Sequence, residues 1–167
     1  IDKLLDSGIS VLKIEGRGRS PDYVYAVTKA YREAVESVLN KTYTKEKINN
    51  WIKELEKVYN RGFWHGGYYL GKKLGEWSGG YGNQSKKEKV FIGIARHYFP
   101  KTKIGEFFLQ SGKIEIGDEI IITGKTTGII HQKIESLFVD EKPASKAKKG
   151  EVITIKVNEK IKKNDKL

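Results

Sequence analysis

The feature that most constrains this chain is a change of hydrophobic period partway along it. Before residue 60, apolar side chains recur every three or four positions, as on one face of a helix. After residue 89 they fall in short β-branched runs. Between the two lie residues 60–82, with eight glycines among aromatic side chains and no clear period. Glycine at this density interrupts regular structure. A stretch of more than about 20 residues without an element of its own is uncommon in a compact domain unless it is functional or a linker. The chain is therefore expected to be helical on one side of this segment and all-β on the other.

Residues 1–7 read as the end of a helix, with Leu4 and Leu5 apolar and Gly8 as the stop. Ile9-Ser10-Val11-Leu12-Lys13-Ile14 reads as a short strand. Ser20-Pro21 is a cap followed by proline at the first helical position. Beyond it Val24, Val27, Tyr31, Val35 and Val38 predict an amphipathic helix over about 21–39. Helix, strand and helix in this order form a piece of a parallel α/β fold. A lone strand makes no sheet, so residues 1–40 are expected to be the last β-strand/α-helix unit of a TIM-like barrel whose other strands lie upstream. Thr44 caps a second predicted helix over about 45–59, with Ile48, Trp51, Ile52, Leu55, Val58 and Tyr59 as its apolar stripe. This helix and the Gly/aromatic loop make up residues 41–88. Strands are predicted at 90–95, 104–110, 119–123, 129–136 and 151–157, separated by turn signals such as Phe99-Pro100 and Ser111-Gly112-Lys113. Residues 89–167 thus read as a small antiparallel β-barrel, a form that closes its own edges. The fold class is α+β.

The 167 residues suffice for one large or two small domains. They begin with Ile1 and contain no Met, so the chain reads as part of a longer polypeptide. There is no Cys, which excludes disulfides, Cys-ligated zinc and iron–sulfur clusters within these residues and fits a cytoplasmic setting. No apolar run approaches the roughly 20 residues of a membrane helix, so no membrane partner is expected. The Lys, Glu and Ile content fits a thermophile or an AT-rich genome. The net charge is +11, with 16 basic and 11 acidic side chains in residues 1–88 and 16 and 10 in the remainder. The excess is spread over the chain. Such a field favours polyanions such as RNA; a Lys-rich solvated surface accounts for the same numbers.

Two segments carry candidate chemistry. In Lys13-Ile14-Glu15-Gly16-Arg17-Gly18-Arg19, the strand alternation puts Lys13 and Glu15 on one side, at the strand end that faces the active site in α/β barrels. With Arg17 and Arg19 they would hold an anionic substrate or orient a base; a structural ion-pair network is the competing reading. In 60–71, Arg61, Trp64 and Tyr68 suit stacking on a base or a flat ligand, or else the aromatics pin a linker to the core. Lys142, Lys146, Lys148 and Lys149 form a candidate basic rim, or a merely solvated surface. Gly124-Lys125-Thr126 lacks the upstream glycine of a phosphate loop and reads as a hairpin turn. His65, His97 and His131 lie too far apart for the spacing of a metal pair, and no metal site is expected.

Val11-Leu12-Lys13-Ile14-Glu15-Gly16-Arg17, Ser20-Pro21-Asp22-Tyr23-Val24, Ala30-Tyr31-Arg32-Glu33-Ala34, Asn60-Arg61-Gly62-Phe63 and Gly67-Tyr68-Tyr69-Leu70-Gly71 together resemble peptidase family U32, the collagenase-like peptidases. Residues 93–167, with the run from Ser111 to Ile120 and Lys149-Gly150-Glu151-Val152, are similar to that family's C-terminal domain and to the second-domain barrel of translation elongation factor Tu. The resemblance implies a parent enzyme that is a peptidase or, as in relatives, an RNA-base hydroxylase acting on tRNA or ribosomal RNA. It also implies an iron–sulfur cluster, which would lie upstream, and a C-terminal, non-catalytic substrate-recognition role for this chain beside the upstream catalytic barrel. A protein-docking barrel is a further alternative.

Overall fold

In the computed structural model residues 1–63 and 82–167 are described, and the chain divides into two compact units, Ile1–Glu88 and Lys89–Leu167.

The first unit is helical: α1 (Asp2–Asp6), α2 (Pro21–Leu39) and α3 (Lys45–Leu55). Proline at N1 starts α2, and its buried face is Val27, Ala30, Ala34 and Ser37, with Asp22 in the first turn. This stripe of smaller side chains runs beside the predicted one; Tyr31 of the predicted face is exposed. The Thr44 hydroxyl accepts from the Lys47 N–H at 3.3 Å and caps α3. The helix ends at Leu55, four residues before the predicted end at Tyr59, because Lys57 and Val58 bond back only three positions and the Glu56 carbonyl accepts from Lys86 N–H instead. The predicted strand over 9–14 does not form. The segment is extended, with Leu12 and Ile14 half-buried and Val11, Lys13 and Glu15 exposed. No strand of this unit is described that could pair with it, and an extended run without a partner has no ladder to join.

The second unit is antiparallel β: β1 (Gly93–Phe99), β2 (Ile104–Leu109), β3 (Lys113–Glu115), β4 (Glu119–Gly124), β5 (Gly128–Lys133), β6 (Leu137–Val139), β7 (Lys142–Ala144), β8 (Lys146–Lys148) and β9 (Val152–Lys156). The order is β1-β2-β9-β6-β7 in one sheet, with β3-β8 and β4-β5 as separate pairs. Pro143 sits on β7, an edge of the large sheet, where a missing N–H costs no ladder bond. The sequence-predicted turn over 124–128 joins β4 to β5 with Gly124 opposite Gly128. Inward side chains of every sheet meet in one core that includes Phe107, Leu109, Ile114, Ile122, Leu137 and Ile153. Residues 164–167 bind β1 and β4 at once: Asn164 N–H donates to Ala95 O at 2.8 Å and Lys166 N–H to Thr123 O at 2.8 Å.

Beside this strip Asp165, buried, accepts from Thr127 Oγ1 at 2.5 Å and from the Lys162 N–H at 2.8 Å. A Cβ at Gly124 would lie 1.8 Å from Asp165 Oδ1. Gly124→Ala must displace that carboxylate and is expected to destabilise the second unit by about 1–3 kcal/mol. Denaturant unfolding measures this, and an unchanged midpoint would contradict the packing described.

Candidate functional site

The extended segment ends in a tight turn. Glu15 Oε1 accepts from the Arg17 backbone N–H at 2.7 Å, and the Arg19 N–H donates to Gly16 O at 3.0 Å. Gly18 takes φ +69° there, a region that favours glycine. Lys13, Glu15 and Arg17 are exposed, and no ion pair joins Lys13 to Glu15. Glu15 therefore shapes the turn, and the turn aims Arg19. The Arg19 guanidinium lies 4.0 Å from the centroid of the Tyr59 ring and 5.8 Å from that of Tyr23. The two rings meet edge-on at 6.4 Å and 75°. Arg61 Nε donates to the Tyr59 hydroxyl at 2.8 Å. The structure thus brings together Arg19 and Arg61, which the sequence placed in separate segments, and it does so through Tyr59. Hydrogen bonds from Arg61 first, then Arg19, draw the Tyr59 phenol below its ordinary value of 10.0, because a nearby guanidinium favours the phenolate.

Asn60 holds this arrangement. Its side-chain amide donates to Val58 O at 3.0 Å, its Oδ1 accepts from Gly62 N–H at 3.1 Å, its own N–H donates to Asn83 Oδ1 at 3.2 Å, and its carbonyl accepts from Gln84 N–H at 2.8 Å. Lys86 adds a backbone bond to Glu56 and an ion pair with its carboxylate. Residues 82–88 are thereby tied back along 56–62. Trp64 and Tyr68 lie outside the described residues. Tyr59 escaped the sequence reading because its spacing fits the apolar stripe of α3; its neighbour Arg61, two positions on, was the available signal.

Between α2 and α3 is a cleft of about 450 Å³. In it Lys47 Nζ donates to Ser37 Oγ at 3.2 Å and to Thr42 Oγ1 at 2.9 Å, and the two hydroxyls lie 3.1 Å apart. A serine beside a lysine has the outline of a nucleophile and base. Here the Lys47 amine is shared between both hydroxyls, and the group ties the end of α2 to the start of α3. Trp51 Nε1 donates to Glu33 Oε2 at 2.8 Å and the indole stacks on Tyr43 at 5.9 Å, adding two further ties.

In the second unit Lys142, Lys146, Lys148 and Lys149 are all exposed. The β3–β8 register puts Lys113 directly opposite Lys148 and Glu115 opposite Lys146, with Ile114 and Ala147 buried between them. Lys113 was missed in the sequence because only the register reveals its neighbour. None of these lysines forms an ion pair among the described residues. Among the described residues no group of His, Cys, Asp and Glu could hold a metal, and no helix is long and apolar enough to cross a membrane.

The class defined so far is an α+β chain with a helical unit and an antiparallel β unit. Residues 1–79 match the family model described as Peptidase family U32. Over 167 residues the chain is 47% identical to a collagenase of Porphyromonas gingivalis, covering 100% of this chain and 40% of that protein. It is 38% identical over 157 residues to an uncharacterized protease of Methanocaldococcus jannaschii, covering 93% of this chain and 38% of that one. It is 26% identical over 146 residues to the tRNA hydroxylation protein P1 of Bacillus subtilis, covering 84% and 33%. Residues 1–79 thus carry the likeness to that family, and the whole chain is similar to the collagenase. It spans well under half the length of these relatives.

The Tyr59 environment carries a direct test. Ultraviolet titration of wild type against Tyr59→Phe isolates its phenol, which should ionise below pH 10.0. Arg61→Gln removes the leading cause and should move that ionisation upward. An unmoved curve would mean that Arg61 does not reach the hydroxyl.

Proposed function

We propose that this chain is the substrate-holding, non-catalytic part of a U32-family enzyme, and that the substrate it helps to hold is RNA. In this reading residues 1–40 complete a TIM-like barrel and 89–167 form a barrel of the kind found in domain two of elongation factor Tu. The observation that carries the reading is the β3–β8 ribbon, where Lys113 faces Lys148 with no carboxylate paired to either. Like charges directly opposite on a sheet repel, and a phosphate backbone relieves that repulsion. Lys142, Lys146 and Lys149 extend the same basic character. A relative named for tRNA hydroxylation gives the substrate class independent support. If the reaction is such a hydroxylation, its iron–sulfur cluster is ligated outside this chain, which has no cysteine thiolate to offer.

The test is RNA binding as a function of salt. Phosphate contacts make log K fall linearly with log salt, by about 0.7 per contact on single strands. Lys146→Gln, Lys148→Gln and Lys149→Gln combined should weaken tRNA binding and flatten that slope by about 2, with circular dichroism unchanged. Binding no stronger than that of an uncharged control protein at low salt would end the RNA reading.

A second reading, proteolysis, is favoured by the names of the collagenase and protease relatives. It places Lys13 and Glu15, both exposed and unpaired with each other, in the pocket of the full enzyme. It expects peptide cleavage by the full-length protein that Glu15→Gln abolishes; a fully active variant would remove Glu15 from the chemistry.

A further inference from the structure

The charge around Tyr59 is unbalanced in a way that neither reading above uses. Arg19 and Arg61 both converge on one phenol, and among the described residues neither guanidinium is paired with a carboxylate. Arg32 shows the usual alternative, since Glu36 accepts from its Nε at 2.8 Å. Hydrogen bonds, not charge compensation, position the pair: Asn60 locks the strand beside Arg61, and the Glu15 turn delivers Arg19.

The donors left over can be counted. Each guanidinium has five N–H donors. The Nε–H of Arg61 is spent on Tyr59, and Arg19 also bonds that phenol and lies 4.0 Å from its ring centroid, which still leaves donors on both guanidiniums. Because the Tyr59 oxygen accepts from Arg61, its own O–H is directed elsewhere. Two forks and one hydroxyl therefore meet at Tyr59, with two positive charges and no paired carboxylate among the described residues.

We propose that Arg19, Arg61 and the Tyr59 hydroxyl form a phosphate-binding site. A phosphate monoester carries up to two negative charges and accepts along several directions, which matches two forks and a phenol. A carboxylate accepts through two oxygens in one plane, fewer directions than two forks and a phenol offer. The site reads the phosphate and not an attached ring. Arg19 lies over the Tyr59 ring and the two tyrosines meet edge-on, so the groups that converge here are hydrogen-bond donors. The group can come from a nucleic-acid strand or from a small phosphate ester; the chemistry at the arginines is the same. The inference goes beyond RNA binding at the β3–β8 ribbon, because it concerns the other unit and survives if the lysines bind nothing.

The test is titration of the 167-residue chain with inorganic phosphate at low ionic strength, following the Nε–H resonances of Arg19 and Arg61 by nuclear magnetic resonance. Both signals should move together and saturate, and chloride at equal ionic strength should leave them in place. Arg61→Gln should weaken binding at least about tenfold. Arg61→Lys keeps the charge but loses the fork, and should weaken it by a smaller factor. Lys160→Gln, at an exposed lysine outside both sites, should not change it. Short oligonucleotides with and without a 5′-phosphate then separate the sources: a preference for the phosphorylated strand assigns a terminal phosphate, and equal saturable binding assigns the backbone. Shifts that fail to saturate, shifts that chloride reproduces, or unchanged affinity in the Arg19→Gln, Arg61→Gln double variant would overturn the site.

Discussion

The second unit depends on four residues, 164–167, whose backbone is shared between two sheets. Through them β1 and β4 become neighbours, although neither bonds the other directly. Without this strip the β4–β5 pair would be a two-stranded hairpin, which is marginal in water. With it, Ile122 and Ile130 pack into the same interior as Phe107 and Ile153. The buried Asp165 carboxylate fastens the strip to the turn that carries Thr127, and its position is why residue 124 has no room for a side chain. The surface follows from the interior. Once Ile114 and Ala147 point inward, the pleat obliges Lys113, Lys146 and Lys148 to point outward. The basic ribbon is thus a consequence of core packing, and a one-residue slip of register would bury it.

The first unit is held differently. Its fully buried apolar side chains among the described residues are Val27, Ala30 and Ala34, whereas the second unit has a core several times larger. The α3 stripe is only half-covered. What positions the helices is a set of polar ties: Lys47 to Ser37 and Thr42, Trp51 to Glu33, and Asn60 to its neighbours on both sides. Each such bond contributes only about 1 kcal/mol net, but each fixes direction as well as distance. Directional bonds are what a site of two arginines and a tyrosine requires, since greasy contact alone would not set the angle of a guanidinium over a ring.

How much of this could be read from the chain depended on which residues carried the signal. The helix α2 from Ser20-Pro21 and the β4–β5 hairpin rest on local patterns, and each appears where the pattern placed it. The three-residue strands β3, β6, β7 and β8 were invisible, because three residues are too few for alternation to register. The run at 9–14 has the composition of a strand but meets no partner strand among the described residues, and a strand is assigned only where a ladder bonds it. The candidate residues divide along the same line. Arg19 and Arg61 were legible as types in suggestive company. Their meeting at Tyr59 was not, since it depends on the early end of α3 and on 82–88 folding back beside 56–62, both products of long-range backbone bonds.

Both halves of the chain carry nearly the same excess of positive charge, mostly as lysine, but the arginines are concentrated in the first. Residues 1–88 contain Arg17, Arg19, Arg32 and Arg61; residues 89–167 contain only Arg96, whose guanidinium lies 4.8 Å from the centroid of the Phe108 ring. The remaining cations of the second unit are lysines. A lysine is a point charge on a flexible stem, and a row of them on a strand attracts a polyanion without asking where its oxygens lie. An arginine fork answers only to oxygens at the right spacing, and it needs a rigid setting to do so. The rigid polar clamp occurs in the unit with the arginines, and the plain exposed strand in the unit with the lysines.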